Sequence, residues 1–161
     1  NVMLFLLSTG ARLNEALSAK WSQVDRENRV WVISAKNSKS KKVRSVPLNQ
    51  SALDVLTQLG TEEHEYLFMS NRSDTHLKEV HTGWKTLREK AGLPHLRIHD
   101  LRHSFASFLV NNGRTLYEVQ QILGHSVPTV TQRYSHLSAK TLLSATDAAS
   151  NCITAAMVGN S

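Results

Sequence analysis

The stretch LGHSVPTVTQRYSHLS, residues 123–138, sets His125 directly after a glycine and Tyr134 nine residues further on. Upstream, HDLRHSFAS holds His99 and Arg102 three residues apart, and TGARLNEAL contributes Arg12. A phenol with a pKa of about 10 is a poor nucleophile until a neighbouring base or cation favours loss of its proton. A guanidinium stays charged and grips an oxyanion with a two-pronged fork, and an imidazole titrates near neutrality and can carry a proton. On a helix beginning near His99, a separation of three brings His99 and Arg102 to one face. Together these types suit nucleophilic attack at a centre that carries negative oxygens. Singly, each has a plainer reading: Tyr134 as a half-buried aromatic with a bonded hydroxyl, Arg12 as the ion-pair partner of Glu15, and the pair His99 and His103 as two ligands of a zinc site that lacks its remaining ligands.

The elements that must position these residues follow from periodicity and punctuation. VMLFLLST reads as an apolar helix, Thr9-Gly10 as a turn, and the next helix carries Leu13, Ala16 and Leu17, with Arg12 at the junction. RVWVIS and VRSVPL are rich in β-branched residues and predict an antiparallel hairpin whose connection, AKNSKSKK, makes a basic tip. Asn49 or Ser51 can cap a helix that bears Leu53, Val55, Leu56 and Leu59 and ends at Gly60. EYLFMS is expected to add a short third strand. Further helices are predicted at about Val80 to Ala91, Asp100 to Asn111, Leu116 to Leu123 and Thr129 to Tyr134. A last one, Ala139 to about Met157, is rich in small residues and shows an apolar stripe of Leu142, Leu143, Ala145, Ala149 and Ile153. The expected architecture is therefore α+β: one mostly helical domain over residues 1–161 with a small antiparallel three-stranded sheet. Trp21, Trp31 and Trp84 are expected to pack rather than to stack on bases.

A chain of 161 residues suffices for one domain with its own core, and 40% hydrophobic against 20% charged residues argues against extended disorder. The formal net charge of +6 favours polyanionic partners without choosing among them. A single cysteine, Cys152, cannot form an internal disulfide, which points to a reducing compartment, the cytoplasm. The apolar run Val2 to Leu7 is too short to cross a bilayer and lacks the flanks of a signal peptide, so no membrane association is expected.

TGARLNEAL, HDLRHSFAS and LGHSVPTVTQRY, in this order, resemble the three signature boxes of the tyrosine recombinase family, the phage integrases and their relatives. The resemblance covers nearly the whole chain and implies a catalytic-domain fold and a set of roles. Tyr134 would attack phosphorus and form a 3′-phosphotyrosyl link. Arg12 and Arg102 would bind nonbridging oxygens, His125 would donate a hydrogen bond to one, and His99 would handle the tyrosine's proton. The family carries its catalytic lysine between the first two boxes, where Lys36, Lys39, Lys41 and Lys42 crowd the hairpin tip. Counting back from VPL favours Lys39 as the general acid and counting forward from Arg12 favours Lys36; hairpin register is the firmer ruler, so Lys39 is preferred. Lys36, Lys41, Lys42 and Arg44 are then expected to touch DNA phosphates, with Glu15 and His103 in support. His136 is left outside the core site.

The resemblance further implies double-stranded DNA with a specific crossover site as substrate, no metal and no cofactor, and a homotetramer on two duplexes, with DNA-bending or excisionase proteins as accessory partners. The chain is expected to be a fragment without the N-terminal core-binding domain and the start of the catalytic domain, and the segment 139–161 to be a contact between protomers. The rival readings are a type IB topoisomerase-like enzyme and a catalytically silent DNA-binding module.

Overall fold

The computed structural model describes residues 1–35, 43–60, 64–71, 73–124 and Thr146. The expected hairpin lysines Lys36, Lys39, Lys41 and Lys42, the third-box residues His125 and Tyr134, His136, the small helix 129–134 and, apart from Thr146, the segment 139–161 lie outside the described residues.

The chain opens with α1 (Val2–Thr9), whose nearly continuous apolar sequence suits a helix buried on several sides, with Phe5, Leu6, Ser8 and Thr9 all buried. Thr9 meets the cost of its buried hydroxyl by donating to the carbonyl of Phe5 at 2.7 Å. Gly10 ends α1 in the left-handed conformation (φ 62°), and α2 (Leu13–Leu17) begins three residues later. A 3-10 turn at Trp21–Gln23 leads into a three-stranded antiparallel sheet of β1 (Val24–Asp25), β2 (Val30–Ile33) and β3 (Arg44–Pro47), in the order β1-β2-β3.

The predicted hairpin is present, with Trp31 opposite Val46 and Ile33 opposite Arg44. Its third strand is not the expected EYLFMS segment but Val24–Asp25. The polar run after Val24 forms a tight turn: Asp25 accepts from the backbone and side-chain nitrogens of Asn28 at 2.8 and 2.7 Å, and Arg29 takes a positive φ of 54°. The EYLFMS segment instead touches Lys20 through a single bridge at Tyr66, while its end forms β4 (Met69–Ser70) in a separate ladder with β5 (Ser73–His76).

The helix α3 (Gln50–Leu59) is capped by Asn49, whose side-chain oxygen accepts from the Ala52 N–H at 3.0 Å. Then come α4 (His81–Lys90), α5 (Asp100–Asn111) and α6 (Leu116–Leu123). Thr115 and Glu118 start α6 with a reciprocal capping box, and Gly124 closes it in the left-handed conformation (φ 65°). Two apolar clusters result. The larger gathers α1, the inner face of β2 and β3, α3 and the 67–68 segment, with Phe5 against both Trp31 and Phe68. The smaller joins α5 to α6 through Ala106, Val110, Val119 and Leu123. All three tryptophans are buried. Among the described residues no helix is long and apolar enough to cross a membrane.

Candidate active site

The end of α6 is where the first two boxes and the sheet meet. An α-helix leaves its last carbonyls without intrahelical partners, and they carry the negative end of the helix dipole. Here three successive carbonyls each receive a different arginine. Arg44 Nη1 donates to Ile122 at 2.9 Å, Arg102 Nη2 to Leu123 at 2.7 Å, and Arg12 Nη2 to Gly124 at a longer 3.5 Å. The three come from a helix start, a strand and a helix that are far apart in sequence, so the arrangement is built by tertiary packing.

Arg12 precedes α2 with an extended backbone. Three residues on, Glu15 folds back: its Oε2 accepts from the Arg12 backbone N–H at 3.0 Å and its Oε1 from Arg12 Nη1 at 2.8 Å. The backbone half of this is the glutamate arm of a capping box. The side-chain half fixes the guanidinium, which remains 24% exposed. Glu15 itself is only 2% exposed and also takes Arg44 Nη2 on Oε2 at 2.6 Å. Burial pushes its pKa up, but Arg44 and the Arg12 hydrogen bonds outweigh this, so the net displacement is below the ordinary value of 4.5. Glu15 is therefore an anion that bridges two cations.

Arg102 lies in the first turn of α5 on the same stripe as Ala106 and Val110, both fully buried. An arginine on an apolar stripe needs partners for its charge and its N–H groups. Arg102 Nη1 donates a short hydrogen bond to Gly10 O at the end of α1, opposite the Nη2 contact with Leu123. One guanidinium thereby ties the C-terminal ends of α1 and α6 together. At both ends a side chain in place of the glycine would collide with packed side chains. A Cβ on Gly10 would lie 2.4 Å from Phe105 Cδ1 and 2.7 Å from Leu123 Cδ2. One on Gly124 would lie 2.1 Å from Arg44 Cδ.

His99 sits at the N-terminal boundary of α5, and its ring meets that of His103 edge-on with centroids 4.9 Å apart. Although the residue as a whole is exposed, desolvation of its ring lowers its pKa below 6.5, assisted by His103, Arg102 and Arg12. The imidazole is thus held in its neutral, proton-accepting form near pH 7. One turn along the helix, the Arg102 backbone N–H donates to the His99 carbonyl at 3.2 Å. Arg97 brackets the same turn through a two-pronged contact with Asp100. Trp84 and Arg88 of α4 both donate to Leu96 O, at 3.1 and 3.2 Å, and so fasten the loop that leads to His99.

Of the expected site residues, Arg12, Glu15, His99, Arg102 and His103 are brought together. Arg44, expected at DNA phosphates, is placed differently. Its side chain is 8% exposed, and its two terminal nitrogens are engaged inside the protein by Glu15 and Ile122. The cause is its register: Arg44 lies opposite the buried Ile33 and two residues before the buried Val46, on the inward face of β3. Among the described residues its buried Nε has no hydrogen-bond partner, a cost of about 1–3 kcal/mol. Sequence reading missed this residue's place and the three carbonyls of α6. Among the described residues no group of three or more His, Cys, Asp or Glu side chains could hold a metal ion.

This fold, which seats the Arg12 segment and the His-x-x-Arg helix against one helix end, matches a known class of proteins. The profile of the phage integrase family matches residues 1–141, and the chain belongs to that family. Its similarity to individual members is consistent along most of its length. The integrase of Salmonella phage P22 is 31% identical over 150 residues, which cover 86% of this chain and 39% of that protein. Tyrosine recombinase XerD of Rhizobium meliloti is 37% identical over 142 residues, covering 82% of this chain and 45% of that protein. The chain thus spans less than half the length of either relative. Among solved structures, the catalytic domain of bacteriophage HP1 integrase superposes with a TM-score of 0.68 at 31% identity, covering 91% of this chain and 79% of that one. XerH recombinase in its post-cleavage complex with a palindromic difH substrate superposes with a TM-score of 0.72 at 27% identity, over 90% of this chain and 44% of that one.

Proposed function

We propose that this chain is the catalytic domain of a site-specific DNA recombinase that cleaves and rejoins strands through a 3′-phosphotyrosyl intermediate. The observation that carries the reading is the charge gathered at the end of α6. Three guanidiniums converge there, two of them paired with one buried carboxylate and the third held on backbone carbonyls, which leaves an excess of two positive charges near a neutral imidazole. A phosphodiester carries one negative charge and gains a second in the pentacovalent transition state. Fixed charge of that size and sign is the electrostatic stabilisation such a reaction needs.

In the forward step the Tyr134 oxygen attacks phosphorus, the bond from phosphorus to the 5′ oxygen breaks, and the phosphoryl group is held on the tyrosine. The partly exposed Arg12 binds the nonbridging oxygens, Arg102 adds its fixed charge from its buried place on Gly10 and Leu123, His125 adds a hydrogen bond, and neutral His99 accepts the phenolic proton. Lys39 protonates the departing 5′ oxygen. Rejoining is the reverse: a 5′ hydroxyl attacks the phosphotyrosine and frees Tyr134, with no external energy source because the phosphoester bond is conserved. Double-stranded DNA with a crossover site is the substrate, four protomers act on two duplexes, and segment 139–161 supplies a contact between them. The work is done in the cytoplasm, without a metal or cofactor.

The test is covalent capture from a randomised pool of nicked duplexes in which the cleaved fragment diffuses away. Wild-type protein is expected to yield a protein–DNA adduct through a tyrosine, and Tyr134→Phe none. An adduct formed at wild-type level by Tyr134→Phe, or none from wild type, overturns the reading. Recombination between paired copies of the captured site, rather than relaxation of supercoils alone, separates a recombinase from a topoisomerase.

A further inference from the structure

We propose that Arg44 is a positioning residue for the cleavage reaction: it holds Arg12 in place through the shared carboxylate of Glu15 and pins the end of α6 through Ile122. This rests on the reading of Arg12 as a ligand of the scissile phosphate.

The argument starts from the acceptors. Glu15 offers two oxygens. Oε2 is filled by Arg44 Nη2 and the Arg12 backbone N–H, and only Oε1 faces the Arg12 side chain. Arg12 is therefore held by a single prong and keeps its exposure, with its other nitrogen directed to Gly124 O. Without Arg44, Oε2 opens toward the Arg12 guanidinium, which then closes on the carboxylate as a two-pronged fork. That geometry withdraws its donors from any outside anion. The second tie acts on the same locus. The Ile122 carbonyl loses its donor, and the chain that leaves α6 at Gly124 loses one of the three arginines that fix it.

Two further features point away from a packing role. An apolar side chain at this position would continue the inward stripe of Val46 and Leu48 with no orphaned donor, whereas Arg44 leaves its Nε unpaired. The left-handed glycine at 124 leaves open the space that the Arg44 Cδ and Nε fill. The site is thus shaped around this one guanidinium.

The experiment compares DNA affinity with single-turnover cleavage in the full-length protein, using a nicked duplex isolated by covalent capture from a randomised pool. Arg44→Ala and Arg44→Lys are each combined with Arg12→Ala. Cleavage at saturating DNA is expected to fall by up to about a hundredfold in both single variants, the scale of an ångström-sized misplacement. Affinity and its salt slope should stay at wild-type values. The doubly substituted protein should lose far less than the product of the two single losses, because Arg44 acts chiefly through Arg12. A salt slope lowered by about one, with the saturated rate intact, would make Arg44 a phosphate contact and overturn the proposal. Rate losses that multiply in the double variant would overturn it too, by showing a merely structural effect. If Arg44→Ala fails to fold, the same comparison is made with Arg44→Lys, which keeps the charge but cannot span Glu15 and Ile122 together. Full activity in Arg12→Ala would instead bring down the reading of the site, a result separable from the others because it needs no change at Arg44.

Discussion

Substituting Gly124 by alanine probes the meeting point of helix end, sheet and first box with one methyl group. Two costs add. The backbone at 124 has φ 65° and ψ 47°, a left-handed conformation that costs a residue with a Cβ about 1–2 kcal/mol. The new Cβ would also stand 2.1 Å from Arg44 Cδ and 2.7 Å from its Nε, far inside contact distance. Arg44 must move, and its hydrogen bonds to the buried Glu15 and to Ile122 are then strained or lost, at roughly 1.5–3 kcal/mol for each one to a charged group. With one of the two bonds lost, a total destabilisation of about 2.5–5 kcal/mol follows, a large part of a typical domain's stability. Thermal unfolding should therefore shift down by roughly 5–20 °C. The decisive measurement is a double-mutant cycle. In an Arg44→Ala background the methyl group meets no arginine, so Gly124→Ala should cost only the backbone share of about 1–2 kcal/mol. If the two substitutions instead add to within about 0.5 kcal/mol, the steric link between the glycine and Arg44 is refuted.

Other perturbations read other parts of the same network. Glu15→Gln keeps the shape but turns an amide group toward guanidinium donors and removes the anion from a buried cluster. Urea unfolding should show a loss of about 3–5 kcal/mol at pH 7, and an unchanged midpoint would show that the charge of Glu15 is dispensable. Because the folded pKa of Glu15 lies below its ordinary 4.5, its contribution is complete above that value and is lost as pH falls through the folded pKa. Stability measured from pH 7 to 3 should decline more steeply for wild type than for Glu15→Gln, and parallel curves would contradict the pairing. His99 has a folded pKa below 6.5, so the unfolded chain takes up its proton first and stability falls as pH drops from 6.5 through the folded value. Cleavage should fall over the same acidic window; a midpoint at or above 6.5 for the His99-dependent step would count against the neutral imidazole. Arg102→Lys replaces a fork that reaches Gly10 and Leu123 by a single ammonium, and should cost on the order of 3 kcal/mol in urea unfolding; an unaltered midpoint would mean that the tie between α1 and α6 does not matter.

Local rules made much of this architecture legible. The helices Asp100–Asn111 and Leu116–Leu123 fall where apolar spacing and the flanking Gly113, Thr115 and Gly124 put them. The hairpin of β2 and β3 was visible in its β-branched runs. What escaped was decided by long-range packing. Val24–Asp25 is a strand of two residues that no periodicity can announce, and EYLFMS has strand-like composition but meets Lys20 at one bridge and then turns back on Ser73–His76. Arg44 is the instructive case. Its alternation with Val46 and Leu48 was present in VRSVPL and marks it as inward-facing, but the neighbouring lysines drew it into a basic surface cluster. Charge composition spoke for the outside of the hairpin, the two-residue period for the inside, and the period was the better guide. The fork of Arg102 on Gly10 and Leu123 had no local signal, since its acceptors are backbone carbonyls 92 and 21 residues away.

The meeting of three arginines with a helix C-terminus also answers a problem of charge. A chain that leaves α6 at Gly124 emerges from the negative end of a helix dipole, an unfavourable neighbourhood for a phosphate. An unadorned end would repel the substrate from the residues that follow it. Here the carbonyls of Ile122, Leu123 and Gly124 each accept from a guanidinium, so their partial negative charge is spent on holding cations in place. The dipole thus anchors the arginines, and Glu15 takes up part of their mutual repulsion while leaving the cluster with positive charge to spare. The orphan acceptors that every helix end possesses become the template on which a cluster of cations is assembled.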